Sequence, residues 1–177
     1  MKVVIFTKLL TMLILLGFSS AFASTPHGDP QTAANVDLTK FLGKWYEIAA
    51  IPYFFERDCA GTNANYSLRP DGKIDVLNTC HDKTLTGPIK TGHGYAELAS
   101  KSDNAKLKVT FFPPFFAKYW IHAVGANYEY AVTANPNREY LWILSRTPTM
   151  DAATYQGLLK NAQAQGFDIS KLVKTAQ

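Results

Sequence analysis

Four histidines, two cysteines and fourteen acidic residues are the side chains from which catalysis or metal binding could be built in this 177-residue chain. Their spacing supplies little. His27, His81, His93 and His122 are scattered, with no H-x-x-x-H or H-E-x-x-H pair and no cysteine cluster able to give zinc its ligands. Neither a G-x-S-x-G elbow nor a Gly-rich phosphate loop is present. No metal and no cofactor are expected. Glu47 is the one carboxylate that its neighbours would bury. A buried acid can serve as a general base, but it more often accepts structural hydrogen bonds. This chemistry points to a binding protein and away from an enzyme.

The first residues read as a targeting segment. Lys2 and Lys8 lie beside an apolar run, densest over Leu9 to Leu16, that ends at Ala21-Phe22-Ala23. That pattern predicts a secretory signal over 1–23, cleaved after Ala23. A membrane-spanning helix needs about 20 apolar residues, and Thr7, Lys8 and Thr11 interrupt this one. Export sets the redox state, so Cys59 and Cys80 are expected to pair. Neither cysteine directly follows the small residues of the signal, so the site for lipoprotein acylation is missing. The expectation is a periplasmic or secreted protein, peripheral at most to an outer membrane and not lipid-anchored. Without Lys2 and Lys8 the 18 basic residues fall to 16 against 14 acidic ones. A balance so near neutral, with no clustered basic face, gives no footing for nucleic acid.

The elements that would position these residues are mostly strands. Residues 24–35 are polar, with Pro26, Gly28 and Pro30, and read as a flexible lead-in to one domain over 36–177. Leu38 to Leu42 can form one helical turn. Strands are predicted at Lys44–Ile51, Gly61–Leu68, Lys73–Cys80, Gly92–Ala99, Lys106–Phe112, Lys118–Val124, Tyr128–Thr133 and Tyr140–Ser145. Pro70-Asp71-Gly72 and Pro136-Asn137 supply tight reversals. Eight such strands suit an antiparallel up-and-down β-barrel, and the same count also suits a sandwich. One long helix follows Pro148, capped by Thr149, with Tyr155, Leu158, Leu159 and Ala162 on one stripe and Gly166 as its stop. A single apolar stripe predicts a helix packed on the outside of the barrel.

Three segments carry a family resemblance. Leu42-Gly43-Lys44-Trp45-Tyr46-Glu47-Ile48-Ala49 resembles the Gly-x-Trp opening strand of lipocalins, and Tyr128-Glu129-Tyr130-Ala131-Val132 sits where that family has a second signature. Leu141 to Pro148 resembles the segment whose arginine, here Arg146, lies over that tryptophan. The wording is similar to that of bacterial outer-membrane and apolipoprotein D-like lipocalins and extends over nearly all of 36–173. The resemblance implies an all-β, eight-stranded calyx that binds a small hydrophobic molecule. Independently of the name, an indole plugs a barrel end at low entropic cost, and a guanidinium can stack on it. Trp45 and Arg146 are therefore assigned structural roles.

Period-two alternation, set by Trp45 facing inward, then gives the lining. On the first four strands it comprises Ala49, Ala64, Tyr66, Val76, Asn78, Ala96 and Leu98; on the last four, Leu107, Val109, Phe111, Tyr119, Ile121, Tyr140 and Trp142. Glu47, Ala123 and Leu144 share that parity, whereas His93 and His122 have the opposite one. A packed core is the bland alternative, against which the small residues Ala49, Ala64, Ala96 and Ala123 argue for free space. The first loop holds Tyr53, Phe54 and Phe55, and the fifth holds four phenylalanines about Pro113-Pro114. Arg57, Lys83, Lys90, Lys118 and Arg138 fall on or beside the loops at that end. An apolar wall with cations at its rim suits fatty acids, lysophospholipids or similar amphiphiles, carried or stored for envelope membranes. A membrane surface could be met through the mouth loops, by a monomer or weak homodimer. The alternatives are a lipocalin-fold enzyme acting on a hydrophobic substrate and an interaction module with an empty barrel. Cys80 should lie opposite residue 61 or 62, so a disulfide to Cys59 requires a bulge or a loop that folds back.

Overall fold

A computed structural model describes residues 28–54 and 56–177. The predicted signal, the start of the lead-in and Phe55 lie outside the described residues. A short helix α1 (Leu38–Phe41) leads into eight strands: β1 (Gly43–Ile51), β2 (Cys59–Leu68), β3 (Ile74–Asp82), β4 (Ile89–Leu98), β5 (Lys106–Phe112), β6 (Phe115–Val124), β7 (Tyr130–Ala134) and β8 (Leu141–Ser145). Helix α2 (Ala152–Ala164), a 3₁₀ turn (Ile169–Lys171) and a two-residue strand β9 (Val173–Lys174) follow. From β1 to β8 each strand pairs antiparallel with the next, and β1 pairs with both β2 and β8, which closes the sheet into a barrel. Closure removes the unpaired edges that an open sheet would expose.

Alternation along the strands divides the apolar residues between two cores. One lies inside the barrel and includes Trp45, Tyr66, Val76, Leu107 and Ile121. The other lies beneath α2, where Tyr155, Leu158 and Ala162 cover Ala49, Val132, Leu141 and Ile143. Asp151, rather than Thr149, caps α2 by accepting from the Thr154 amide at 2.8 Å. Gly166, at φ 87°, ends the helix in a conformation that costs a residue with a Cβ.

The closed end is built by α1 and β8. Asp37 caps α1, and Phe41 beneath the barrel accepts the Trp45 Nε1 hydrogen bond at 2.8 Å. The Arg146 guanidinium lies 3.7 Å over the Trp45 ring and donates to the carbonyls of Lys40, Lys44 and Tyr128. Trp45 is fully buried.

Several boundaries differ from the sequence expectation. Strand β7 starts at Tyr130, because Tyr128 turns at φ 58° and its amide bonds back to Gly125. Strands β2, β3, β4 and β6 are each longer, and β9 has no counterpart in the eight predicted strands. Gly28 to Asn35 are docked rather than free. The Ala33 amide donates to Ile121, the Gln31 carbonyl meets His122 Nδ1 at 2.7 Å, and Arg138 donates to the Gly28 carbonyl. Cys59 and Cys80 form a disulfide with Cα atoms 5.5 Å apart. The register shift it requires falls between Ala60 and Asn63.

Candidate functional site

Inside the barrel, above the Trp45 floor, is a cavity of about 520 Å³. That lies within the 300–1,000 Å³ usual for small-molecule sites. Alternation brings ten of the fourteen predicted lining residues to its wall: Ala64, Tyr66, Val76, Asn78, Ala96, Leu107, Val109, Phe111, Tyr119 and Trp142. Room for the Phe111 ring comes from Gly94, where a Cβ would run into that ring and the Thr110 carbonyl.

The other four lie elsewhere. A bulge in β1 between Glu47 and Ala49 reverses the facing, so Ala49 packs under α2. Leu98 pairs with Leu107 near the closed end and is about one-third exposed, at 37 %. Ile121 does face inward, but it is fully buried in the packed core and does not border the cavity. Tyr140 precedes β8 and packs on Tyr53 and Trp142 instead of lining the space. Ala123 also turns toward α2, because a second bulge separates it from Ile121. Parity could have found three residues left out of the lining: Thr62, Ile74 and Ala117 each lie two positions from one already placed inward. Nothing in the pattern marked Glu56, which enters from the first loop.

The polar groups of the cavity are acceptors or neutral. Glu47 is buried, and Thr175 donates its hydroxyl to Glu47 Oε1. Burial raises this carboxyl from an ordinary 4.5 to about 7, with the Glu56 charge adding to the effect. Burial also raises Glu56, whose Oε2 accepts from the Tyr53 amide and from Trp142 Nε1 at 3.1 and 3.2 Å. Tyr66 and Tyr119 join their hydroxyls at 2.9 Å, and burial pushes the Tyr119 phenol up to about 12. The Thr62 hydroxyl and Asn78 Oδ1 are buried with no hydrogen-bond partner among the described residues. Among the described residues, the lining contains no lysine, arginine or histidine.

Part of the barrel seam beside the cavity is closed by residues 173–177. Strands β1 and β2 pair directly only as far as Tyr46 and Asn63. Beyond that point residues 173–177 bridge them. β9 pairs with Ala49 and Ala50, the Ala176 carbonyl accepts from Gly61, and Gln177 Nε2 donates to the carbonyls of Glu47 and Thr62.

At the mouth, Phe54, Phe112 and Phe115 are 68, 77 and 79 % exposed, with exposed Leu85 and Ile89 at the neighbouring loop. Of the five cations expected there, Lys90 is paired with Asp82 at 2.6 Å. Arg138 is spent on the carbonyls of Gln165 and Gly28.

The model of the lipocalin-like domain family matches residues 36–177. The chain is a lipocalin. It is 40% identical to temperature-induced lipocalin-1 of Arabidopsis thaliana, over 86% of each chain. It is 39% identical to the outer membrane lipoprotein Blc of Escherichia coli K12, again over 86% of each. Apolipoprotein D of Mus musculus is 33% identical over 96% of each. Among solved structures, insecticyanin from the tobacco hornworm Manduca sexta shares the fold with a TM-score of 0.66, at 23% identity, covering 86% of this lipocalin and 85% of that chain. The cockroach allergen Per a 4 gives 0.63 at 20% identity, over 85% and 92%.

Proposed function

We propose that this lipocalin binds single-chain amphiphiles, such as fatty acids or lysophospholipids, and carries them between envelope membranes without chemical change. The observation that carries this reading is the apolar cavity of about 520 Å³ opening at a rim of exposed phenylalanines. Burying one such ring is worth about 1.5–3 kcal/mol, so several left in water favour a ligand tail or a membrane surface as their partner. Among the described residues no helix is long and apolar enough to cross a membrane. The proposal includes export through cleavage of residues 1–23 and action without a lipid anchor. The mature protein, purified and extracted, should yield a bound lipid by mass spectrometry and should take up the neutral dye Nile red. An empty extract together with no dye uptake rejects the reading.

A second reading has one observation in its favour. Glu47 titrates near neutrality inside a cavity, as a general base would. Turnover of a hydrophobic substrate that disappears in Glu47→Gln, while Nile red still binds, would make this lipocalin an enzyme.

A further inference from the structure

The charges inside the cavity are of one sign. Glu47 and Glu56 both line it, one from β1 and one from the first loop, and among the described residues no cationic side chain accompanies them. Thr62, 9 % exposed, keeps its hydroxyl in the same wall without a partner, and Asn78 adds an unpartnered acceptor in Oδ1. Buried polar atoms in folded proteins are nearly always hydrogen-bonded, so the open Thr62 hydroxyl, which can donate or accept, and the open Asn78 acceptor mark the place of a polar headgroup, whose charge the two carboxylates select. A carboxylate headgroup could accept from Thr62 but would bring a third like charge beside Glu47 and Glu56. An alcohol would supply one donor. A primary ammonium supplies three and a compensating charge, while its chain fills the apolar part between Val76, Leu107 and Phe111.

We propose that the cavity selects long-chain amphiphiles bearing a primary ammonium, held between the carboxylates of Glu47 and Glu56 with Thr62 and Asn78 as further hydrogen-bond partners. The inference rests on the amphiphile-binding function above and narrows it from any single-chain amphiphile to those whose polar group donates. The ammonium can belong to a simple alkylamine or to the end of a lysophospholipid headgroup.

The test is competition against Nile red, which carries no charge and therefore reports on the cavity alone. Dodecylamine, dodecanol and dodecanoate share a tail and differ in the headgroup. At a pH of about 8, where Glu47 is mostly ionised, dodecylamine should displace the dye at a concentration at least about tenfold below that of dodecanoate, with dodecanol between them, as one added ion pair would give. Glu47→Gln and Glu56→Gln should each shrink the ratio between dodecylamine and dodecanoate, each read against that variant's own Nile red affinity. Equal or better competition by dodecanoate in the unmodified protein overturns the inference, whether or not either variant folds. Absence of dye binding would instead remove the amphiphile function itself. Lysophosphatidylethanolamine and lysophosphatidylglycerol separate the two sources. Competition by the former but not the latter places the ammonium on a lipid headgroup, and competition by dodecylamine alone places it on an alkylamine.

Discussion

Trp45 and Glu47 are two positions apart on β1 and do opposite work. The indole fills the floor, with its nitrogen satisfied by Phe41 and its face covered by Arg146. Replacing it with alanine should lower unfolding stability by about 3–5 kcal/mol, through lost contacts and the hole left behind. Denaturant melts would show this; unchanged stability with abolished ligand binding would move Trp45 from the floor to the site. Glu47 makes stability depend on pH. Its carboxyl rises from 4.5 to about 7 on folding, so the native state holds a proton that the unfolded chain has released. The stabilisation is complete below the lower value and is lost as pH rises through the upper one, a difference of about 3 kcal/mol. The groups near Glu47 are Glu56 from the first loop, Tyr66 and Tyr119 from the barrel and Thr175 beside β9, and none of them is a cation that would cancel the effect. Glu47→Gln should therefore melt higher than the parent near pH 8, with a flatter profile between about pH 5 and 8. A parent profile already flat over that window would contradict the account.

The mouth hairpin and the closing segment are the elements that leave the barrel wall open to change. Phe112 pairs with Phe115 across the Pro113-Pro114 turn, and both rings are exposed, so the β5–β6 tip adds little to either core. Phe115 and Phe116 changed together to serine should keep the melting temperature and slow lipid transfer from vesicles; unfolding of the double variant would show the tip to be core. Removing residues 173–177 should do the reverse and weaken retention. The bridge between β1 and β2 is lost, Glu47 gains access to water, and Nile red should leave faster in stopped-flow dissociation. Unchanged release would mean that the two strands close over the gap without it. The sequence made these strands legible, because alternation needs only that one face be buried. It could not show the bulges. One extra residue after Glu47, and another after Ile121, reversed the facing of Ala49 and Ala123, and nothing in their side chains announces it. Thr175 was hidden for a different reason. Its contact with Glu47 spans 128 residues, and no local pattern reports a contact at that range.

At the scale of the whole molecule, α2 and the barrel share one wall while the cavity occupies the other side of the same strands. Ile143 and Leu144 are neighbours on β8, yet the first lies under the helix and the second borders the cavity. A change of volume on either face is thus felt across one layer of backbone. The Trp45 floor, Arg146 and the three resembling segments were readable because they concern the shared scaffold, whereas the unmatched acceptors emerged only when distant strands were brought together. β1 has a further consequence. It meets β2 across a short connection, but its other neighbour within the eight-stranded barrel is β8, about a hundred residues away along the chain. Six strands can add one after another at little entropic cost, whereas the last seam must wait for a long loop to close. That seam is the non-local pairing expected to limit how fast the barrel forms, and closing it is what turns the Tyr66, Val76 and Phe111 wall away from bulk water.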